Sequence, residues 1–351
     1  MQEKRNLIIA GSIFGVLAVG LVALGNPANM GFCIACFYRD LAGSLGLHSA
    51  GVVQYARPEI MGLILGSFVI SLIKGEFKSR GGSSPVLRFI IAFFVMIGAL
   101  VFLGCPFRMI LRLAGGDLNA LVALFGFASG LGVGGILLNK GFSLGRSYPQ
   151  ARAEGTAFSA AALVMVVIAV FLPMLLKAST SGPGSQHAPI LISLAAGLIV
   201  GSLAQRTRLC MAGGIRDIFL FKDPTLMLGS AAVLVVALIL NLATGSFKLG
   251  FTGQPIAHTQ WLWNFLGMGL VGYGSVLLGG CPLRQTILAG EGNSDSAVTV
   301  LGFLAGAAVS HNFGLASSGQ GATTAGKIAT LVGFAVITLI ALAVMKKQAR
   351  S

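Results

Sequence analysis

"FLGCPFR" occupies residues 102–108, and "LLGGCPLR" occupies residues 277–284. Each sets glycine, cysteine and proline in succession at the end of a long apolar stretch. Each adds an arginine three residues after the cysteine, Arg108 and Arg284. Gly104, Cys105, Pro106 and Arg108 align with Gly280, Cys281, Pro282 and Arg284 at an offset of 176, and the same offset carries Gly126, Phe127 and Gly130 onto Gly302, Phe303 and Gly306. Upstream, "GFCIACFYRD" (31–40) aligns with "RLCMAGGIRD" (208–217): Cys33 falls on Cys210, Ala35 on Ala212, Arg39 on Arg216 and Asp40 on Asp217, at an offset of 177. A nearly constant offset over such a distance marks an internal duplication.

Composition sets the medium. Of 351 residues, 55% are hydrophobic and 10% charged, against about 25% charged in soluble domains. Apolar runs close to the ~20 residues needed to span a bilayer recur along the chain. They do not alternate in polarity, which excludes a membrane β-barrel. The net charge of +14 is scattered between apolar runs and forms no basic helix or aromatic-interleaved patch, so a nucleic-acid partner is excluded. The N-terminal apolar run is too long for a signal peptide, has no clean cleavage site, and reads as a first spanning helix.

The expected fold is an all-α polytopic membrane protein. Spanning helices are expected near 7–25, 59–73, 88–104, 119–138, 157–177, 190–204, 225–243, 261–279, 297–315 and 325–345, about ten in all. Four pieces, 30–47, 105–116, 207–221 and 281–291, are too short or too polar to span and read as re-entrant half-helices. Five spanning helices per half is an odd number, so the halves insert upside down relative to each other. The expected organisation is a first inverted repeat over 1–177, a linker over 178–189 rich in Gly, Ser and Pro, and a second repeat over 190–351, joined in one membrane domain. GxxxG spacings at Gly11/Gly15, Gly62/Gly66, Gly126/Gly130, Gly197/Gly201 and Gly302/Gly306 suit close helix crossing.

Counting basic residues orients the chain. With the N-terminus inside, the inner segments hold Lys4, Arg5, Lys74, Lys78, Arg80, Arg88, Lys140, Arg146, Arg152, Lys346, Lys347 and Arg350, and the outer loops hold Lys177, Lys248 and Lys327. Both termini are therefore expected to be cytoplasmic. Cys33 and Cys105 then enter from outside, and Cys210 and Cys281 from the cytoplasm.

The five cysteines concentrate the chemistry. Proline favours the first position of a helix, which sets Cys105 and Cys281 at the caps of half-helices, where free N–H groups favour anions and thiolates. Arg39, Arg108, Arg216 and Arg284 either line a polar cavity, pair with lipid phosphate or Asp40/Asp217, or snorkel to the interface. Buried cysteines also serve as small core hydrophobes, and Cys33-x-x-Cys36 has metal-ligand and thioredoxin-like spacing. No second such pair or nearby histidine completes a metal cage, and no βαβ context surrounds the motif. No metal or other cofactor is expected. Glu59, Asp117 and Glu291 lie near the short pieces and are expected to serve loops or caps.

"GLIVGSLAQRTRLCMAGGIRD" (197–217) and "GSVLLGGCPLR" (274–284) resemble the two signatures of the YeeE/YedE membrane proteins, and the resemblance extends over both repeats. It implies an hourglass-like helical fold, uptake of sulfur compounds such as thiosulfate, and cysteines along the path. Cys105 and Cys281 are then the principal transport cysteines, with Cys33 and Cys210 next. Cys36 departs from the commonest pattern and is similar to a YedE-type branch linked to selenium metabolism.

The resulting expectation is a multi-pass transporter of a bacterial-type inner or plasma membrane. It imports a small selenium or sulfur anion (selenite-, selenide- or thiosulfate-like) past Cys33, Cys36, Cys105, Cys281 and Cys210. Gly104, Pro106, Gly280, Pro282 and the four motif arginines support that path. The bilayer and a cytoplasmic sulfur or selenium carrier protein are the expected partners. A membrane thiol–disulfide or persulfide oxidoreductase using Cys33 and Cys36 is the alternative, and a partner-recruiting scaffold a third.

Overall fold

The computed structural model describes residues 2–348, so Arg350 lies outside the described residues. The first half runs α1 (Gln2–Ala23), α2 (Ile34–Ser44), α3 (Pro58–Ile73), α4 (Pro85–Phe102), α5 (Pro106–Ala114), α6 (Leu118–Asn139) and α7 (Arg152–Phe171). The second runs α8 (Ile190–Thr207), α9 (Met211–Phe221), α10 (Met227–Ala243), α11 (Trp261–Leu278), α12 (Pro282–Gly290), α13 (Ser294–Asn312) and α14 (Thr324–Gln348). The chain is an all-α polytopic membrane protein. Among the described residues, seven segments are long and apolar enough to cross a bilayer: α1, α4 with α5, α6, α7, α8 with α9, α11 with α12, and α14. Helices α3 and α10 are shorter apolar helices, and α13 has spanning length but carries Ser, Thr, Asp and His among its apolar residues.

Several ends differ from the sequence-based bounds, for local reasons. Helix α7 stops at Phe171 rather than 177 because Pro173 follows and disfavours helical backbone at the residue before it. Helix α13 starts at Ser294 rather than 297 because the Asn293 side chain accepts the Ser296 N–H, satisfying one free donor of the first turn. Helix α1 begins at Gln2, its polar first turn extending the apolar run.

Packing exchanges helices between the halves. Helix α1 lies along α10 and α3 along α8, while α4 lies along α13 and α6 along α11. The repeat pairs α1 with α8, α3 with α10, α4 with α11 and α6 with α13, so each contact has a counterpart with the halves swapped. Helices α4 and α11 also meet each other at the centre. Glycine makes these crossings close. A methyl group at Gly66 would strike the Leu198 carbonyl oxygen, one at Gly197 the Glu59 carbonyl, one at Gly130 the Gly269 carbonyl, one at Gly306 the Phe93 carbonyl and one at Gly11 the Gly229 carbonyl. All five GxxxG spacings thus sit at contacts with the opposite half, where small residues let backbones approach.

Burial grades from centre to rim. In the apolar window of α11–α12, 89% is buried, against 22% for α7 and for α14. Leu163, Val164, Leu331 and Leu339 are exposed on these outer helices, as an apolar medium around the molecule requires.

The loops separate into two sets, each bonded within itself. In one, Lys177 N donates to Ser44 O (2.9 Å), Ala188 N to Asn26 Oδ1 (2.9 Å), Lys248 N to Gly115 O (2.9 Å) and Asn312 Nδ2 to Leu47 O (2.9 Å). In the other, Lys78 N donates to Glu291 O (3.1 Å), Gly82 N to Asp295 Oδ1 (2.9 Å) and Gln205 Nε2 to Glu76 Oε2 (2.7 Å). A two-residue antiparallel pair, Arg80–Gly81 with Tyr148–Pro149, belongs to this second set. The loops carrying Lys78, Arg80 and Arg146 fall in the second set, and Lys177 and Lys248 in the first.

Candidate cysteine site

All four repeat-equivalent cysteines are N-caps. Cys33 caps α2 with extended backbone, and its Sγ accepts the Cys36 N–H at 3.3 Å. Cys210 caps α9 in the same way, its Sγ accepting the Gly213 N–H at 3.3 Å. Cys105 and Cys281 cap α5 and α12, with Pro106 and Pro282 opening each helix. Proline costs nothing there, because the first-turn N–H it lacks has no partner in the helix.

The Gly-Cys-Pro-x-Arg word has a structural account. A Cβ at Gly104 would lie 2.9 Å from Arg108 Cδ, and one at Gly280 2.9 Å from Arg284 Cβ. The glycine leaves room for the arginine stem to fold back over the cap. Ahead of it, Leu103 (φ 67°) and Gly279 (φ 84°) end α4 and α11 in the left-handed region. Glycine occupies that region freely, whereas leucine is strained in it.

The caps form two groups. In the first, Cys33 Sγ lies 2.8 Å from Cys36 Sγ, and the Ile34 N–H points at Cys105 Sγ at 3.3 Å. In the second, Cys210 Sγ lies 3.6 Å from Cys281 Sγ. Cys33, Cys36, Cys105 and Cys281 are at most 1% exposed and Cys210 is 5% exposed. The Thr286 hydroxyl donates to Pro282 O (2.9 Å), so the Tyr38 hydroxyl donates to Thr286 Oγ1 (2.8 Å), tying α2 to α12 across the halves.

The four motif arginines diverge. Arg39 pairs with Asp40 (2.6 Å), Arg216 with Asp217 (2.7 Å) and Arg284 with Glu291 (3.1 Å). Arg108 Nη1 donates to Leu103 O (2.7 Å) and points at Cys36 Sγ (3.3 Å). Two further buried arginines escape the sequence reading. Arg57 binds Asp40 (2.7 Å) and donates to Gln186 O and Pro183 O of the linker. Arg112 binds Asp117 (2.7 Å) and Phe102 O. An arginine and an aspartate five residues apart in an apolar stretch were a readable sign of the second pair. The Arg57–Asp40 pair gave no such sign, because the two residues lie on different elements.

Asp117 also caps α6 by accepting the Asn119 N–H (2.9 Å), and Glu291 is the C-cap of α12. Glu59 is fully buried and accepts from Asn26 (2.8 Å) and Ser193 (3.1 Å). The histidines lie away from the cysteines. His48 and His258, in loops of the first set, bond to Arg39 O and Val101 O, and burial lowers both below the ordinary histidine value. Among the described residues, no three His, Cys, Asp or Glu side chains are placed to hold a metal ion.

Residues 206–349 match the family model described as sulphur transport. Over 123 residues the chain is 30% identical to the thiosulfate transporter TsuA of Escherichia coli, an alignment covering 34% of each chain. Over 99 residues it is 33% identical to the thiosulfate transporter TsuA of Spirochaeta thermophila, covering 28% of this chain and 29% of that protein. The matched stretches span about a third of the length of these relatives. The matched family model takes in the second copy of the cysteine word and the cap cysteine Cys210, so the second half of the chain is similar to the sulphur-transport family.

Proposed function

We propose that the protein imports a small sulfur-containing anion of the thiosulfate class, or its selenium counterpart, along a path through the two cysteine groups. One observation carries this reading: four repeat-equivalent cysteines each cap a short helix, two in each half. Helix N-termini present free N–H donors and a positive dipole end. A thiol there is a weak S–H donor of soft, polarizable character. Together they receive an anion with a terminal sulfur without the tight grip of an ammonium or a metal. Transport needs sites weak enough to leave.

In this reading the halves are inverted repeats related by an axis near the α4–α11 contact. The loop set bearing Lys78, Arg80 and Arg146 faces the cytoplasm. The anion passes from Cys33, Cys36 and Cys105 to Cys281 and Cys210, then to a cytoplasmic carrier protein. Names of relatives that transport thiosulfate support the substrate class, and the extra Cys36 extends it to selenium species.

Uptake of labelled thiosulfate and selenite by liposomes holding only the purified chain tests the reading. Wild type is expected to import. Cys105→Ala and Cys281→Ala are each expected to lower the rate at least tenfold; normal import by both variants sinks the mechanism. The 2.8 Å contact between Cys33 and Cys36 favours one rival, a dithiol oxidoreductase. There, both thiols lose two electrons and two protons to a quinone and form a disulfide. Quinone reduction by a chain that imports nothing would select that rival.

A further inference from the structure

Among the described residues, four arginines lie essentially inside the molecule: Arg39, Arg57, Arg108 and Arg112. Three face a carboxylate, Arg39 and Arg57 sharing Asp40 and Arg112 holding Asp117. Arg108, fully buried, has no carboxylate within ion-pairing distance among the described residues. Its Nε has no hydrogen-bond partner. Its Nη2 reaches only Ile256 O, at 3.5 Å, while Nη1 donates to Leu103 O at 2.7 Å and points at Cys36 Sγ at 3.3 Å. The repeat-equivalent Arg284 is neutralised by Glu291. The duplication therefore leaves one uncompensated guanidinium, beside the only cysteine that lacks a counterpart in the other half, where Gly213 stands.

A buried cation without a counter-ion is unfavourable. The planar guanidinium fork fits an oxyanion through two parallel hydrogen bonds. Ile256, whose carbonyl makes the long contact, has φ 48°, a strained backbone for a β-branched residue. That weak, strained acceptor is one an oxyanion oxygen readily displaces.

We propose that Arg108 and Cys36 form the charge-selecting element of the first cysteine group. Arg108 holds the oxygen-bearing end of a small thio-oxyanion while the thiols of Cys33, Cys36 and Cys105 receive its terminal sulfur. This assignment rests on the transport reading for its substrate class, and it rests on the unpaired guanidinium for its site.

Two measurements on the purified full chain test it. The first is equilibrium binding of labelled thiosulfate. Arg108→Gln is expected to weaken binding about 30-fold, the scale of losing charge-assisted hydrogen bonds. Arg108→Lys, which keeps the charge but loses the fork, is expected to fall between. Arg206→Gln, at an exposed ion pair with Glu76, is expected to bind as wild type. The second is modification of wild-type Cys36 by N-ethylmaleimide in excess over the anion, read by mass spectrometry. Thiosulfate is expected to slow it about tenfold, sulfate much less. The second measurement, with Arg108→Lys, decides the matter if Arg108→Gln fails to fold. Unchanged binding in folded Arg108→Gln, or no protection of Cys36, overturns the assignment. Arg108-dependent binding without liposome uptake would leave the site standing and remove the transport reading. Uptake with Arg108-independent binding would do the reverse.

Discussion

Asp117 and Asn293 occupy equivalent positions in the two repeats, and both cap the helix that follows. Only Asp117 also faces a buried arginine, Arg112 at 2.7 Å. Truncating Asp117 leaves that guanidinium uncompensated in a dry interior, which costs about 3–5 kcal/mol. Truncating Asn293 removes a cap alone, at about 1 kcal/mol. Unfolding in mixed micelles is therefore expected to show Asp117→Ala as much the more destabilising of the two; equal losses would deny the ion pair its role. At this scale the cysteine caps were legible. Gly-Cys-Pro states its own geometry through proline at the first helical position and glycine before it. The arginine partners were only partly legible from the motifs. Arg39 and Arg216 share one word and pair with the adjacent Asp40 and Asp217, an alternative that the spacing offered, whereas Arg108 and Arg284 share the other word and end with Cys36 and Glu291.

Helix crossings depend on which face of a helix carries glycine. Gly130 and Gly132 lie two residues apart on α6. A methyl at Gly130 would collide with the Gly269 carbonyl, whereas nothing lies within 4 Å of one at Gly132. Gly130→Leu is expected to prevent assembly of α6 on α11 and to abolish a monodisperse purified protein. Gly132→Leu, facing outward, is expected to purify as wild type. Gly66→Leu on α3 should behave as Gly130→Leu, since the Leu198 backbone of α8 fills the same space. Size-exclusion profiles decide it, and a well-behaved Gly130→Leu variant would contradict the crossing. Helix existence and the four half-helices were readable from apolar run length and from the Gly, Cys and Pro interruptions. Helix ends were readable only where a cap or proline set them, as Asn293 and Pro173 do.

Across the molecule, two loop sets lie on opposite ends of the helices, and their basic residues are unequal. Single cysteines at Ser181 and Gly141, both exposed, in an otherwise cysteine-free chain test the orientation that follows. An impermeant thiol reagent applied to intact cells is expected to label the Ser181 site and spare the Gly141 site until the membrane is opened. The opposite pattern would invert the proposed direction of the path.

Apolar run length, repeat offset and the Gly-Cys-Pro word act over a few neighbouring residues, through burial, backbone conformation and capping. The sequence alone therefore determined the helical membrane fold, the duplication and the cap positions of Cys105 and Cys281. Tertiary structure decided what depends on residues far apart in the chain. It set each helix against one from the other half, brought Arg57 onto Asp40, and left Arg108 facing Cys36 with no carboxylate among the described residues. Charges in a dry interior interact with whatever the packing brings within a few ångströms, and no local spacing records that.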